Sequence, residues 1–538
     1  MPYQTTVQVD PKDPVQFTDT LIGDLYQRGT VNIYVDSEVI TGPETRRIVK
    51  QHQKHIARTT HPEYPAIINV HECVGPFIEG VNVKGERKQI FFDASMGVGT
   101  HAVFGYNDEE ILRKMKPWRR LEGVKHAGTD FYIMSSKRMP TSTDLAKLLN
   151  KTAREAFGSY WICKFSSCGT EANEDASKIA MYNKFRQLCQ KLDQETLQEM
   201  YRQLGIKQIR EDGLTSNYPM FVIALEGAFH GRTAGSLSYT KSKLPQKEGY
   251  QALTYVKHLP YDSSADFEDA IDSTLLEVLI KTEELKNVID SGKVPIDLLS
   301  MIILEPVQGE GGYRIPEEGF LQELNDFLRR YKKKKKFALV DDEIQAGMGR
   351  TGKIFAIENY TDKYPYLKPD IITIAKAMPV GVLIAKKKLL INWPGSKFSG
   401  TWSEGDVLAI ARGYYTLEKL LRKEPDSYLG RNYLENAIIS GKELREGIRE
   451  LADKINRKYP EMITNVRGMG QMTAFDLPDS KTRDRYEHEL FLHGVLMLPV
   501  GEKSMRIFGT VDQRQRERKI LLQAMGTSME SLLEELGP

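Results

Sequence analysis

Short apolar runs alternate with helical segments through the middle of the chain. Runs rich in β-branched residues predict buried strands at 221–225, 301–304, 338–340 and 371–374. Helices are predicted at 141–157 and 171–191. Because strands that alternate with helices build a mainly parallel sheet with helices on both faces, the predicted fold class is α/β.

The two ends of the chain carry other patterns. Before residue 94 we predict a helix at 44–58 and hairpin-like strands near 76–93, and after residue 400 long helices at 407–421 and 432–455 followed by short strands. We therefore expect an N-terminal segment over 1–93 that packs with the small domain, a large domain over 94–398 and a small α+β domain over 399–538. The charged stretches 193–218 and 262–292 are expected to be surface insertions.

Composition indicates a soluble globular protein of two or more domains. The chain has 538 residues, 40% hydrophobic and 28% charged, which is enough for a large core. Its 75 Lys and Arg residues nearly balance 73 Asp and Glu residues, so there is no general electrostatic case for nucleic acid or membrane partners. The basic run 332–336 is expected to be the solvated end of a helix over 321–331.

Cysteine usage and the N-terminus bear on the cellular compartment. Cys73, Cys163, Cys168 and Cys189 show neither metal-ligand spacing nor a disulfide framework, so we expect free thiols and no metal site. The first ten residues match no targeting segment, and no apolar stretch is long enough to cross a membrane. We therefore expect a cytoplasmic protein.

Two predicted strands end in residues that suit amine chemistry. Lys376 follows the run 371–374, where burial would favour a neutral amine that can condense with an aldehyde such as that of pyridoxal 5′-phosphate. Asp342 follows the run 338–340, and a carboxylate there can keep the pyridine nitrogen of that cofactor protonated. Taken alone, each has an ordinary interpretation, a snorkelling lysine and a turn carboxylate.

Four short sequence motifs, here called blocks, decide between these interpretations. They read Ser-Ser-Cys-Gly-Thr-Glu-Ala-Asn-Glu at 166–174, Gly-Ala-Phe-His-Gly-Arg-Thr at 227–233, Glu-Pro-Val-Gln-Gly-Glu-Gly-Gly at 305–312, and Asp-Glu-Ile-Gln with Gly-Arg-Thr-Gly within 342–352. In content and order they resemble class III pyridoxal-phosphate aminotransferases, the ω-aminotransferases. The resemblance covers nearly the whole chain. It implies a fold-type I pyridoxal-phosphate-dependent transferase and a homodimer with the active site at the subunit interface.

The resemblance also implies roles around the cofactor ring. Lys376 would carry pyridoxal 5′-phosphate and move protons, and Asp342 would face the pyridine nitrogen. Gln345 would donate to the phenolic oxygen, and Phe229 would stack on the ring face. From the sequence alone, Phe229 could instead be a core residue.

The cofactor phosphate would be bound at a helix start. Gly169 and Thr170 would supply unpaired amides and close approach, although the local pattern is also that of an ordinary Thr-capped helix. Thr401 resembles the threonine that family members extend to the phosphate of the neighbouring subunit. The sequence that follows, Ser-Glu-Gly-Asp at 403–406, departs from the family form.

Substrate handling is expected to depend on Arg232, Glu305, Glu310 and Arg506. By resemblance, Arg232 grips a donor carboxylate remote from the reacting amine, since a guanidinium can make two parallel hydrogen bonds. Arg506 would bind the carboxylate beside the ketone of 2-oxoglutarate, with Glu310 as its gate. A surface salt bridge is the alternative for Arg506.

The stretch Gly-Met-Gly-Gln-Met-Thr-Ala-Phe-Asp-Leu-Pro at 468–478 and the pair Thr401-Trp402 resemble, within the family, 4-aminobutyrate aminotransferase and L-lysine 6-aminotransferase most. The expected reaction moves a terminal amino group to 2-oxoglutarate, giving a semialdehyde and L-glutamate. A racemase, epimerase or aminomutase of the same fold is the alternative, because fold does not fix chemistry. The Gly-x-Gly-x-x-Gly pattern at 347–352 is not expected to bind a dinucleotide, since those glycines do not join a strand directly to a helix.

Overall fold

The computed structural model describes most of the chain. The described residues are 31–56, 67–80, 89–121, 128–129, 132–191, 220–252, 255–270, 299–333, 336–391, 393–394, 397–398 and 404–536. Their longer helices are α1 (Pro43–His55), α2 (Glu109–Met115), α3 (Ser142–Phe157), α4 (Gly169–Lys191), α5 (Glu318–Phe327), α6 (Val407–Leu420), α7 (Tyr433–Asn456), α8 (Ser480–Leu492) and α9 (Gln515–Leu536). Their strands are β1 (Ile68–Val74), β2 (Phe77–Gly80), β3 (Gln89–Asp93), β4 (Gly128–Thr129), β5 (Tyr132–Ile133), β6 (Trp161–Ser166), β7 (Phe221–Leu225), β8 (Tyr255–Leu259), β9 (Leu299–Leu304), β10 (Ala338–Asp342), β11 (Ile371–Ile374), β12 (Gly381–Lys386), β13 (Thr464–Met469), β14 (Met472–Asp476), β15 (Val495–Leu496), β16 (Leu498–Val500) and β17 (Ser504–Phe508).

Seven strands form the largest sheet, in the order β6-β12-β11-β10-β9-β7-β8. Neighbours from β11 through β8 pair in parallel, whereas β12 runs antiparallel to both β11 and β6. Every residue of β7, β9, β10 and β11 is buried, as expected of a parallel sheet covered on both faces. The predicted α/β class and its four predicted strands are confirmed.

Local sequence explains where a helix on this sheet begins and ends. The amide and hydroxyl of Thr141 both donate to the Asp144 carboxylate at 2.9 Å, which fixes the start of α3. Leu145 and Leu149 are buried on its inner face. The helix ends before Gly158, whose φ of 71° suits a residue without a side chain. The predicted helix at 141–157 is confirmed, and α4 begins two residues before the predicted one.

The described residues divide into two compact units. The central unit takes the described parts of Trp118–Met348 and Lys353–Glu418, and it contains the seven-stranded sheet. The terminal unit takes those of Met1–Pro117 and Lys419–Pro538 together with Gly349–Gly352. Its two four-stranded sheets have the orders β1-β2-β3-β15 and β13-β14-β17-β16. The domain boundaries expected from the sequence stay predictions.

The prediction that the basic run 332–336 is the solvated end of a helix is wrong for Lys332. After α5 the chain makes a π-helical turn, Leu328–Lys332, and Lys332 Nζ lies 2.8 Å from Asp370 Oδ2. Burial lowers the pKa of Lys332. Burial alone would raise the pKa of Asp370, but Lys332 and Lys386 hold it well below its usual range. A carboxylate can be buried at this position because two cations accompany it.

The described residues cover the predicted surface insertions only in part. The predicted insertion at 193–218 lies outside the described residues, and so does the one at 262–292 beyond residue 270. Among the helices of the described ranges, each is too short or too polar to span a bilayer.

Candidate functional site

Asp342 lies where β10 ends, and its carboxylate is held by three donors. In the parallel pair β10–β11 it stands opposite Thr373. Its Oδ1 accepts the amide of Ile344 at 3.0 Å, while Oδ2 accepts Asn173 Nδ2 at 2.8 Å and His230 Nδ1 at 2.7 Å. The side chain is 2% exposed. A buried carboxylate with this many donors is fixed in orientation.

Asn173 connects the carboxylate to its surroundings. Besides Asp342, its Nδ2 donates to the carbonyl of His230 at 2.8 Å, and its Oδ1 accepts the Thr373 hydroxyl at 2.7 Å. The amide of His230 donates to the Thr240 hydroxyl at 3.0 Å. His230 Nε2 is buried without a hydrogen-bond partner among the described residues. The network joins α4, β10, β11 and the loop after β7.

Lys376 follows β11 in a strained backbone conformation. Its φ is 58°, in the left-handed region that non-glycine residues seldom adopt. The side chain is half-buried. Because Thr373 of β11 stands opposite Asp342, Lys376, three residues after Thr373 and beyond the end of β11, follows the sheet at the same edge. Such strain persists only where the surrounding structure fixes it, and it concentrates at functional sites.

The start of α4 presents the first backbone amides of a helix. Its first turn is closed by the Ala172 amide, which donates to the Cys168 carbonyl at 3.2 Å, so the amides that precede Ala172 have no carbonyl within the helix. Gly169 is tightly packed, since a Cβ there would lie 2.7 Å from Ile344 Cδ1. This turn can accept a dianion at the positive end of the helix.

Thr170 joins the helix start to the loop at 231–236. Its hydroxyl lies 3.1 Å from the Thr233 hydroxyl and 2.5 Å from that of Ser236. Gly231 has φ 133°, and a Cβ on it would overlap Thr170 Oγ1 and Ser236 Oγ. The loop therefore approaches the helix as closely as it does because residue 231 is glycine.

Arg232 lies on this braced loop and is exposed. Glu174 of α4 braces the same loop, since its Oε1 accepts the Thr233 hydroxyl together with the amides of Gly235 at 3.1 Å and Ser236 at 3.2 Å. Within the part of the chain that the structure describes, no hydrogen bond or ion pair engages the Arg232 guanidinium. A rigid loop thus carries a guanidinium that is open to a carboxylate.

Glu305 follows β9, and its carboxylate is occupied by backbone amides. Its Oε1 accepts the Phe229 amide at 2.9 Å and its Oε2 accepts the Gly309 amide at 2.8 Å. Burial raises the pKa of Glu305 to about 7, with His230 opposing this rise and Asp342 adding to it. The contact ties the Phe229 loop to the Gly309 loop, and the predicted substrate contact of Glu305 stays a prediction.

Gln345 and Glu310 face each other across Gly309. Gln345 Nε2 lies 3.4 Å from Glu310 Oε1, a long hydrogen bond. A Cβ on Gly309 would overlap Gln345 Oε1. Gln345 is 5% exposed and Glu310 is half-buried. The predicted roles of both side chains stay predictions.

The structure thus gathers most of the predicted site residues in the central unit. Hydrogen bonds link Thr170 to the Arg232 loop, the Phe229 loop to Glu305, and His230 to Asp342. Arg506 lies in the terminal unit, on β17, where it is 3% exposed. Thr401 lies outside the described residues.

Several contributing residues were not predicted from the sequence. They are Asn173, Glu174, His230, Thr233, Ser236 and Thr373. Four of them lie inside the blocks at 166–174 and 227–233 that carried the family resemblance. A polar residue inside such a block, next to one with an assigned role, was the signal that could have indicated them. Thr373 gave none, since it reads as an ordinary β-branched strand residue.

The donor set fits pyridoxal 5′-phosphate. Asp342, fixed from behind by Asn173 and His230, suits a protonated pyridine nitrogen. The first turn of α4 suits the phosphate, and Lys376 supplies an amine at the same sheet edge. In the described ranges, no group of three or more His, Cys, Asp and Glu side chains is placed to hold a metal ion.

Comparisons with known proteins agree with this chemistry. The sequence model of the aminotransferase class-III family matches residues 119–527. An acetylornithine aminotransferase of Prochlorococcus marinus is 28% identical over 454 residues, 83% of this chain and 88% of the relative.

Solved structures share the fold. The lysine aminotransferase from M. tuberculosis in the internal aldimine form is 20% identical, with a TM-score of 0.64, over 91% of this chain and 100% of that one. An ornithine aminotransferase from Toxoplasma gondii is 17% identical, with a TM-score of 0.65, over 96% of this chain and 99% of that one.

Proposed function

The chain belongs to the class III aminotransferases, a family of pyridoxal-phosphate-dependent enzymes with the fold-type I architecture, and we propose that the amino group it transfers is a terminal one. The donor is 4-aminobutyrate, L-lysine or a similar ω-amino acid. The acceptor is 2-oxoglutarate, and the products are a semialdehyde and L-glutamate. The lysine and ornithine aminotransferases found by comparison are named for donors of this kind, which supports the proposal.

Lys376 and Asp342 are the proposed catalytic residues. Bound pyridoxal 5′-phosphate supplies an electron sink for the negative charge that develops at the substrate carbon. Lys376 Nζ carries the proton that leaves this carbon. Asp342 holds a proton on the pyridine nitrogen, and the donors at its back keep its carboxylate aimed. Phe229 and Gln345 orient the ring, and Gly169 and Thr170 bind the phosphate.

The Arg232 guanidinium is the observation that carries the choice of donor. An ω-amino acid places its carboxylate far from the amine that reacts, so its anchor must stand away from Lys376. Arg232 is exposed on a loop that Thr170 and Glu174 hold in place. Two parallel hydrogen bonds from its planar guanidinium would fix both the distance and the direction of the donor.

The acceptor half-reaction needs a different anchor, because 2-oxoglutarate carries a carboxylate beside its ketone. Arg506 is the proposed residue, and Glu305 and Glu310 are proposed to shape the substrate site. The proposal also includes a homodimer in which Thr401 serves the phosphate of the neighbouring subunit, and a cytoplasmic location.

Replacement of Arg232 by lysine tests the donor assignment. Because an ammonium cannot reproduce the two-pronged contact, Arg232→Lys should lower kcat/KM for 4-aminobutyrate or L-lysine at least about tenfold. A monoamine without a carboxylate makes no such contact and should lose less than about twofold in kcat/KM. Steady-state kinetics with both donors at saturating 2-oxoglutarate measure the difference.

The matched control is Arg329→Lys. Arg329 is an exposed arginine in the turn that follows α5, and it is paired with Asp326. It should leave both donors unchanged. Equal losses for the two donors in Arg232→Lys would remove the anchor role. Repeated turnover of the donor without 2-oxoglutarate would instead favour a racemase or aminomutase.

A further inference from the structure

Two buried arginines share one aromatic ring in the terminal unit. Arg350 Cζ lies 5.0 Å and Arg506 Cζ 5.2 Å from the centroid of the Phe508 ring. Arg350 is 1% exposed, Arg506 3% and Phe508 1%. Both guanidinium groups are within the range in which a cation is attracted to an aromatic face, and the attraction is strongest where water is excluded.

The strand geometry places Arg506 beside the ring. Arg506 and Phe508 are two positions apart on β17, so their side chains project from the same face. On the neighbouring strand, Arg506 stands opposite Ala474 and Phe508 opposite Met472. Because Ala474 is small, the space above it is left to the arginine side chain.

Arg350 reaches the ring from a short segment that is anchored by its backbone. The Arg350 carbonyl accepts the Gln471 amide at 2.8 Å, and a Cβ on Gly470 would overlap that carbonyl. At the other end of the side chain, Nη2 donates to the Gly99 carbonyl at 3.2 Å. Arg350 is therefore fixed at both ends, and its guanidinium has a defined place.

A left-handed turn closes the arrangement. Four consecutive residues, Met96, Gly97, Val98 and Gly99, have φ values of 45°, 57°, 59° and 83°. A Cβ on Gly99 would lie 2.7 Å from Phe508 Cε1, and the Phe508 amide donates to the Ala94 carbonyl at 2.8 Å. Such a run costs backbone strain at Met96 and Val98. This turn places the Gly99 carbonyl within hydrogen-bond distance of Arg350, and it packs against the Phe508 ring.

We propose that Phe508 and Arg350 are positioning residues that hold the Arg506 guanidinium for the carboxylate beside the ketone of the acceptor. Arg350 braces the ring, and the ring limits the rotation of Arg506, so that two hydrogen bonds to that carboxylate need no further ordering of the side chain. The inference rests on the proposed function, in which Arg506 is the acceptor anchor. It identifies Phe508, two residues after Arg506, as a determinant of acceptor affinity.

Single-turnover half-reactions test this inference on the holoenzyme. Phe508→Leu removes the ring face, so the concentration of 2-oxoglutarate that half-saturates the acceptor half-reaction should rise about 5- to 20-fold. The donor half-reaction should change less than about twofold, since Arg506 has no part in it. Phe508→Tyr keeps the ring and should restore the acceptor affinity. Arg350→Met should resemble Phe508→Leu, and Arg350→Lys should lie between Arg350→Met and the wild type.

A control separates positioning from general damage. Phe475 is a buried phenylalanine of the adjacent strand β14, opposite Met505 and thus on the other face of the sheet. Phe475→Leu should lower Tm by about as much as Phe508→Leu but leave acceptor affinity unchanged. Equal losses in both half-reactions for Phe508→Leu, or failure of Phe508→Tyr to restore affinity, would show that the ring is only structural.

The same measurement on Arg506→Ala distinguishes the positioning role of Phe508 and Arg350 from the proposed role of Arg506 as acceptor anchor. If it weakens 2-oxoglutarate while Phe508→Leu and Arg350→Met do not, the positioning role fails and the proposed function stands. If Arg506→Ala leaves acceptor affinity unchanged, the proposed acceptor anchor fails, and the positioning role fails with it.

Discussion

Three consecutive residues at the end of β10 carry carboxyl groups, and these groups differ in their hydrogen-bond partners. Asp342 receives three hydrogen-bond donors, whereas Asp341 and Glu343 project from the other face of the strand. Both Asp341 oxygens and Glu343 Oε2 are buried, and among the described residues none has a donor unless a carboxyl is protonated. Burial raises the pKa of Asp341 well above its usual range and that of Glu343 to about 8, so burial favours the protonated form of both groups.

This pair makes stability depend on pH. The folded-state pKa of Glu343 is raised from 4.5 to about 8, so its contribution is fully present below pH 4.5 and is lost as pH rises through about 8. Glu343→Gln cannot ionise and keeps an oxygen for the Ile357 amide, which lies 2.9 Å from Oε1. Its free energy of unfolding should exceed that of the wild type by about 1–3 kcal/mol above pH 8.

Chemical denaturation at a series of pH values measures the difference. Glu155, whose side chain is 67% exposed, provides the control, and Glu155→Gln should follow the wild-type pH curve. If Glu343→Gln and the wild type lose stability in parallel as the pH rises, the buried pair does not carry the titration.

At the scale of elements, strands were easier to predict than the contacts between them. The runs that became β10 and β11 were predicted because burial on both faces makes a strand continuously apolar. Asp342 and Lys376 were predicted because each ends an apolar run, and the sequence blocks that resemble the family decided their roles. The Lys332–Asp370 ion pair and the hydrogen bond from Asn173 to Asp342 were not predicted. Each joins elements that are distant in the chain, and their approach depends on tertiary packing. Sequence blocks that resemble those of a family indicate which residues form the site, but they do not reveal the hydrogen bonds that orient these residues.

The joint between α4 and the Arg232 loop can be tested through Gly231. Gly231→Ala would drive a methyl group into the hydroxyls of Thr170 and Ser236, and such overpacking costs about 1–3 kcal/mol. We expect weaker binding of pyridoxal 5′-phosphate and a lower kcat/KM for ω-amino acids. Titration of the apoenzyme with the cofactor measures the first effect.

Gly249 supplies the matched control, because its φ of 83° is also left-handed but a Cβ there meets nothing within 4 Å. Gly249→Ala should cost backbone strain alone and leave cofactor affinity unchanged. Similar cofactor affinities in the two variants would show that strain, and not the close approach to Thr170, sets the effect at Gly231.

At the scale of the whole molecule, the proposed roles are divided between segments far apart in the chain. The donor anchor Arg232 and the catalytic pair belong to the central unit, whereas Arg506 and its positioning residues belong to the terminal unit. Each half-reaction then depends on its own anchor. Variants of one anchor should therefore separate the donor half-reaction from the acceptor half-reaction.

Isotopic labelling of one nitrogen atom shows which amine the enzyme transfers. The enzyme is given 2-oxoglutarate with 4-aminobutyrate or L-lysine whose terminal amine carries heavy nitrogen, and the glutamate formed is analysed by mass spectrometry. Transfer of the terminal amine gives heavy glutamate and an equal amount of semialdehyde from at least one of these donors, and unlabelled glutamate when only the α-amine of L-lysine is heavy. Heavy glutamate from the α-labelled lysine alone would show that the α-amine is transferred, and no heavy glutamate from either terminally labelled donor would contradict the proposed donors.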